Sequence, residues 1–349
     1  MNAERYHRQI ILKGFGPENQ VKLKRAKVLV IGAGGLGVPV LSYLNAMGVG
    51  TLGIVDNDVV SESNLHRQVL YTEDRIGQSK VHAAKEKLRA QNSETEIQDY
   101  KTYLDVSNAL EIIKDYDLVV DASDNFPTRY LLNDACVLLK KPLVYGALHG
   151  FEGQVSVFNY QNGPTYRCLF PNMPKADEVP DCNQHGVLGI LPGIIGNFQA
   201  LEAIKVLTNM GTVLSGTLLL YDGLSQRVQR MNFTLNPENL KLDRLSNNYH
   251  FECEAPIKSI ETIEVQNLLK DRAIELIDVR TVTEFNANHL KGAKHIPLDA
   301  LEQRVNEIDM DAPVYIICQS GIRSQKAVRL LQRLFPDKEF INVAGGMTV

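Results

Sequence analysis

The sequence predicts an α/β protein in two parts: a larger unit on a mostly parallel sheet with an antiparallel extension, then a smaller α/β unit. Three observations carry this. Over the first 235 residues, short apolar runs alternate with amphipathic stretches of helical length, as in a parallel sheet covered on both faces. From Gly153 the period changes, and Gln154-Val155-Ser156-Val157-Phe158 alternates like an antiparallel strand. Near Ile257, after a polar stretch, strand and helix patterns resume.

Composition agrees with two globular units. A length of 349 residues suits two domains, and 44% hydrophobic residues can fill two cores. A net charge of −4 offers no basic field, so neither nucleic acid nor an anionic membrane is expected as a partner. No apolar core follows Met1-Asn2-Ala3-Glu4-Arg5, and no run of about 18 apolar residues occurs. Neither a signal peptide nor a membrane span is therefore expected. Cys136, Cys168, Cys182, Cys253 and Cys318 show no disulfide spacing, and their odd number suggests a reducing cytoplasm with working thiols.

In chain order, the apolar runs place strands at 27–31, 51–55, 117–121 and 142–146, with helices near 35–47, 78–91 and 127–139. A proline-containing, loop-like stretch follows from Tyr160 to about Asp181, and Gly189 to Met210 reads as a long helix. Residues 1–236 form the first domain, 237–256 a linker and 257–349 the second domain. That second domain has strands at 274–279, 314–317 and 340–343 and a helix at 323–334.

Chemistry begins where Val28-Leu29-Val30-Ile31 runs into Gly32-x-Gly34-Gly35-Leu36-Gly37. Glycines let a phosphate approach the backbone, and the helix N-terminus supplies free N–H groups. Asp56 follows the second strand, where an acid can accept from ribose hydroxyls. The glycines alone favour an NAD or FAD enzyme, or a structural Rossmann turn. The residues beyond them favour ATP: Arg67 and Lys80 can neutralise a triphosphate as pyrophosphate leaves, and Asp124 can hold magnesium.

These strings together resemble the ubiquitin-activating superfamily in its bacterial form, whose members adenylate the C-terminal glycine of small sulfur-carrier proteins. The likeness runs from Arg5 to about Met231. It rests on Arg5-Tyr6-x-Arg8-Gln9, Gly32-x-Gly34-Gly35-Leu36-Gly37, Asp56-x-Asp58, Ser63-Asn64-Leu65-His66-Arg67-Gln68, Lys80 and Asp121-x-x-Asp124-Asn125. The adenylyltransferases of molybdopterin and thiamin-thiazole biosynthesis match best. The resemblance implies a Rossmann-like sheet with an antiparallel extension. It implies ATP lined by Gly34, Gly35, Asp56, Asp58, Ser63, Asn64, Leu65, His66, Arg67, Lys80, Asp124 and Asn125, with Asp124 on magnesium. Arg8 would reach into the other subunit of a homodimer. Asp121 would act as a direct ligand or order the loop at its strand end.

Such relatives often hold a structural zinc on two Cys-x-x-Cys pairs. Here the matching positions read Thr165-Tyr166-Arg167-Cys168 and Asn236-Pro237-Glu238-Asn239, so no structural zinc is expected. Cys182 stands where some relatives are proposed to link covalently to the carrier. The alternative is a loop cysteine without a required role.

In the second unit, Asp278-Val279-Arg280, Glu284-Phe285, His289-Leu290-Lys291-Gly292-Ala293 and Cys318-x-x-Gly321-x-Arg323-Ser324 occur in the order of a rhodanese domain, which this unit resembles. Cys318 would carry a persulfide, with its thiolate favoured by loop N–H groups and a helix N-terminus. Arg323 would add positive charge, orient the loop or bind an anionic donor, and Asp278 and Arg280 would form an internal ion pair. Cysteine phosphatases use Cys-x5-Arg, whereas four residues separate Cys318 from Arg323, a loop better sized for sulfur. Related domains continue past Gly345-Gly346-Met347-Thr348-Val349 into a further helix, so an end trimmed or completed by a partner is expected.

The expected protein is a cytoplasmic homodimer using ATP and magnesium. Catalysis would use Arg8, Arg67, Lys80, Asp124, Cys182, Cys318 and Arg323. Its partners would be a ubiquitin-fold carrier ending in Gly-Gly, foremost the molybdopterin-synthase small subunit, and a sulfur donor such as a cysteine desulfurase. The alternatives are the same chemistry on the thiamin carrier, a non-catalytic carrier-docking scaffold, or an NAD-dependent oxidoreductase with a regulatory second unit.

Overall fold

The run Lys27-Val28-Leu29-Val30-Ile31 is apolar on both faces, so a strand made from it must lie inside a covered sheet. A computed structural model, which describes residues 3–174, 186–247, 249, 257–271 and 274–348, places it there as β1 (Lys27–Ile31). The chain divides into two compact units, Met1–Phe251 and Glu252–Val349.

In the first unit, β2 (Thr51–Val55), β3 (Glu96–Tyr100), β4 (Leu118–Asp121), β5 (Leu143–His149), β6 (Glu152–Phe158), β7 (Thr217–Asp222) and β8 (Arg227–Asn232) join β1 in an eight-stranded sheet. The order is β3-β2-β1-β4-β5-β6-β7-β8. Pairings from β3 to β5 are parallel, and those from β5 to β8 are antiparallel. The antiparallel extension thus begins at β6, where the apolar period changes.

The helices are α1 (His7–Ile10), α2 (Gly16–Arg25), α3 (Gly37–Ala46), α4 (Lys80–Gln91), α5 (Ala109–Ile113), α6 (Phe126–Leu138), α7 (Tyr166–Leu169) and α8 (Ile190–Thr208). Alternation along β1 sorts them onto two faces. Val28 and Val30 share a core with Leu41 and Leu44 of α3, Leu88 of α4 and Ala203 of α8. Leu29 and Ile31 face a second core with Ile113 of α5 and Leu131 and Ala135 of α6. By length and composition α8 could cross a membrane. Here that composition serves packing, since Leu191, Ile195 and Ala203 are buried in the first core.

Polar elements escaped the periodicity. β3 sits at a sheet edge and buries only Ile97, while β8 is exposed along its whole length. Such strands carry few of the apolar side chains that announce a strand. Part of the polar stretch after Asn236 also packs on the first unit. Pro237–Leu240 is a 3-10 turn, and Tyr249 is buried. The Tyr249 hydroxyl donates to Asp134 Oδ2 at 2.7 Å, and Arg167 grips the same carboxylate through Nε at 2.7 Å and Nη2 at 2.8 Å. One buried carboxylate on α6 thereby gathers α7 and the chain leaving the sheet.

The second unit contains β9 (Ser259–Glu261), α9 (Thr262–Asp271), β10 (Glu275–Asp278), α10 (Val282–Ala287), β11 (Lys294–His295), β12 (Val314–Ile317), α11 (Ile322–Leu334) and β13 (Phe340–Ala344). Its five strands run β11-β10-β12-β13-β9, and every pairing is parallel. Ile316 of β12, Ala327 and Val328 of α11 and Phe340 of β13 share its core.

Asp134→Ala would strand a half-buried guanidinium and a tyrosine hydroxyl. It is expected to lower the stability of the first unit by about 3 kcal/mol, read from the urea midpoint of its unfolding transition.

Candidate functional site

The turn after β1 shows why two of its glycines have no substitute. Gly32 has φ +100°, and a Cβ there would lie 2.6 Å from the Ala122 carbonyl oxygen beyond β4. A Cβ on Gly37 would lie 1.9 Å from the Gly32 carbonyl oxygen. Without side chains the turn closes between the ends of β1 and β4, where the strand order reverses and a crevice opens. Asp56 braces it: Oδ2 accepts from Ala33 N–H and Oδ1 from Asp58 N–H, both at 2.8 Å. The Tyr71 hydroxyl donates to the Ala33 carbonyl at 2.8 Å.

Above the turn lies a cavity of about 600 Å³, walled in part by Gly34 and Gly35. Asp56, Asp58, Asn64 and Arg67 line one side, with Lys80 beside them, and Asp124 and Asn125 line another. Lys80 is buried, and its ammonium donates to Asp58 Oδ2 at 2.8 Å, so the cation is held in place. Arg67 donates to the Ser63 carbonyl at 3.1 Å and to Asn64 Oδ1 at 2.9 Å. Asn125 caps α6 by accepting from Thr128 N–H at 2.9 Å, and Asp124 stands exposed just before it.

Five residues expected at the nucleotide site are not in this wall. Ser63 supports Arg67 from behind, Leu65 packs on the core, and a His66 ring nitrogen lies 3.2 Å from Arg67 Nη1. Arg8 is exposed on α1, away from the cavity of its own chain. Asp121 is buried outside the wall, and its Oδ1 accepts from Ser123 N–H at 2.9 Å and Ser123 Oγ at 2.6 Å. It orders the loop before Asp124. Burial pushes the Asp121 carboxyl up, and Arg129 and Ser123 only partly offset that.

The wall chemistry fits a magnesium nucleotide. A glycine turn admits phosphates, two cations face them, and one carboxylate is enough for a magnesium ion that also takes phosphate oxygens. The cavity also has a floor that motif reading did not find: Arg129, Tyr145, Gln154, Tyr166 and Phe170. Arg129 lies one helical turn beyond Asn125, and only folding aims it at the site.

In the second unit, Cys318 directly follows β12 and is buried. Gly321 N–H donates to Sγ at 3.2 Å, and Ser324 Oγ lies 3.4 Å away. Burial alone would raise the thiol, but Ser324 and the N–H groups of Ser324, Ser320 and Gly321 hold it below its ordinary value. Arg323 is turned onto Glu284, with Nη1–Oε2 at 2.8 Å and Nη2–Oε1 at 2.6 Å. This pair ties α11 to the capped start of α10. Asp278 and Arg280 form a buried ion pair at 2.7 Å, and Arg280 Nη1 donates to Gln319 Oε1 at 3.1 Å.

Three cysteines remain besides Cys318 and the half-buried Cys168. Cys136 is buried and its thiol is pushed up by burial. Cys182 and Cys253 lie outside the described residues. Folding brings 165–168 and 236–239 together. Cys168 Sγ accepts from Asn236 N–H and Asn239 Nδ2 at 3.3 Å and from Thr165 N–H at 3.4 Å. One thiol among N–H donors is not a tetrahedral zinc set. Burial would raise this thiol, but hydrogen bonds from Thr165, Asn236 and Asn239 hold it down.

Ser324→Ala removes the hydroxyl 3.4 Å from Cys318 Sγ that helps hold this thiol below its ordinary value. The pH at which Cys318 alkylation by iodoacetamide reaches half its limiting rate, followed by peptide mass spectrometry, is expected to move upward.

Known proteins sort the two units in the same way. The ThiF family matches residues 6–242, and the rhodanese-like domain matches residues 261–349. Adenylyltransferase and sulfurtransferase MOCS3 of Aedes aegypti is 41% identical over 98% of this chain and 85% of its own length. The sulfur carrier protein adenylyltransferase of Thermus thermophilus is 54% identical over 67% of this chain and 88% of its own. Among solved structures, E. coli MccB with MccA-N7isoASN has a TM-score of 0.61 at 21% identity, covering 68% of this chain and 73% of that one. That likeness speaks to the fold alone. The chain therefore belongs to the ThiF family, with a rhodanese-like domain following in the same polypeptide.

Proposed function

We propose that this chain is an adenylyltransferase and sulfurtransferase that uses ATP to adenylate the C-terminal glycine of a ubiquitin-like sulfur carrier and delivers sulfur to it. The observation that carries the reading is the cavity where the Gly32–Gly37 turn meets Arg67, Lys80 and Asp124, in one polypeptide with the Cys318 thiolate cradle. A similarity of about 40% over nearly the whole chain to proteins named for both activities supports it.

The residues divide the work by charge and position. Gly34 and Gly35 leave room for phosphates at the start of α3. Arg67 and Lys80 would offset the charge that collects on departing pyrophosphate. Lys80 exchanges its bond to Asp58 for phosphate oxygens, which costs little reorganisation because the ammonium is already oriented. Magnesium, when bound on Asp124, would add charge neutralisation across the triphosphate. Asp56 braces the turn and retains lone pairs for ribose hydroxyls. In the second unit, the Cys318 thiolate would attack the outer sulfur of a donor persulfide, the donor thiolate would leave, and a persulfide would remain on Cys318.

The finer assignments belong to this reading as well. The carrier is of the molybdopterin-synthase small-subunit type and ends in Gly-Gly, and the donor is a cysteine desulfurase. The enzyme works in the cytoplasm as a homodimer, where the exposed Arg8 on α1 can reach the other subunit's site. The ion pair of Arg323 with Glu284 supports the loop-orienting role among those open to Arg323.

Carrier-dependent ATP–pyrophosphate exchange tests the proposal, with molybdopterin-type and thiamin-type carriers side by side. Exchange with the molybdopterin-type carrier is expected, lost in Asp124→Ala and kept in Cys318→Ala, which loses only thiocarboxylate formation. Absence of exchange with both carriers would overturn the adenylation reading and leave a docking scaffold.

A further inference from the structure

The floor of the first cavity holds a cation that none of the nucleotide motifs includes. Arg129 lies on α6 with 8% of its surface exposed, and its guanidinium is packed over the rings of Phe126 and Tyr145 at 5.4 and 5.6 Å. Nη2 donates to the Ser123 carbonyl at 3.2 Å. Nε faces Asp121 Oδ2 at 4.0 Å, beyond hydrogen-bond reach, and neither atom has a hydrogen-bond partner among the described residues. A guanidinium has five N–H donors, and a buried one left partly unsatisfied is costly unless something else takes up the bonds. Arg129 also lines the cavity. The unpartnered Nε is turned to Asp121 and closed to solvent, so what a ligand meets is the cavity-lining part of the Arg129 side chain.

The surroundings narrow the acceptor's chemistry. Arg67 and Lys80 accompany the glycine turn and suffice for phosphates. Arg129 belongs to the other wall, with Tyr145, Gln154, Tyr166 and Phe170, five residues beyond Asp124. A planar fork in an aromatic wall suits a carboxylate. We propose that Arg129 positions the terminal carboxylate of the incoming carrier for attack on the α-phosphorus. This rests on the adenylation reading above and adds a substrate-holding residue to it.

The step balances. One carboxylate oxygen bonds to the α-phosphorus, the bond to the bridging oxygen breaks, and pyrophosphate leaves with the electron pair. The second oxygen becomes the acyl carbonyl and stays on Arg129. When a sulfur nucleophile then attacks that carbon, charge develops on this oxygen beside a cation already in place, and AMP leaves with the electron pair of the broken C–O bond as the carbonyl re-forms.

The test uses the full chain and the molybdopterin-synthase small subunit ending in Gly-Gly, prepared as the acid and as the C-terminal carboxamide. Three variants are compared: Arg129→Lys, Arg129→Gln, and Arg129→Gln with Asp121→Asn, which removes both buried charges and protects the fold. The wild type is expected to bind the acid about tenfold more tightly than the carboxamide with a non-hydrolysable ATP analogue present, and Arg129→Gln is expected to bind the two alike. In exchange assays the carrier KM should rise about 10- to 100-fold in Arg129→Gln and in the double variant. The ATP KM should stay within about threefold, and Arg129→Lys should recover part of the loss. Equal losses for acid and carboxamide, or an ATP KM that rises with the carrier KM, would reduce Arg129 to a counter-ion for Asp121 and overturn the proposal. No exchange by the wild type would remove the adenylation reading itself, and this inference with it.

Discussion

The first unit depends on one close approach. The Gly32 backbone passes the end of β4 so tightly that a single methyl would meet the Ala122 carbonyl at 2.6 Å, and the helix that follows begins one turn later against Gly32 itself. Much else is arranged around that contact. β1 and β4 must be parallel neighbours for the turn to lie between their ends. Asp56 and Tyr71 tie down Ala33 inside the turn. Asp121 and Ser123 set the loop on the far side. The result is a braced rim, with Lys80, Arg67 and Asp124 in the wall of the cavity above it.

The second unit meets a related need with different parts. A thiolate is a buried anion, which burial alone would disfavour. Loop N–H groups and Ser324 more than compensate, so the Cys318 thiol is held below its ordinary value. Arg323 is engaged by Glu284 at the mouth of the loop, and Arg280 supports Gln319 within it. Two arginines near the thiol thus have their guanidinium groups engaged by Glu284 and by Asp278 and Gln319. Cys168 shows how the same means can serve structure. Cys168 Sγ accepts from Asn236 N–H and Asn239 Nδ2, and so joins segments 165–168 and 236–239.

Much of this was readable in the chain. The strands at β1, β2 and β4 and the helices α3 and α8 were visible because they are buried and read as continuous apolar runs. The cavity-wall residues Gly34, Gly35, Asp56, Arg67, Lys80 and Asp124 were visible because each sits in a short motif around a glycine turn, a strand end or a loop. β3 and β8 were missed, since edge strands bury little and have little pattern to read. The cavity floor was missed for another reason. Arg129, Tyr145 and Phe170 come from α6, β5 and the segment after α7, and no spacing relates them.

By itself, then, the sequence determined what is local: the glycine turn, the cysteine loop, the strand and helix periods, and the loss of the thiols a zinc site would need. These depend on residues within a few positions of one another, so backbone stereochemistry and periodicity suffice to read them. Tertiary structure alone decided that Asp121 serves the loop while Asp124 faces the cavity, that Lys80 waits on Asp58, that Arg323 is held by Glu284, and that a buried arginine completes the floor. Each of those outcomes depends on which distant side chains share a low-dielectric space, where an unpaired charge is costly and only the packed chain can supply its partner.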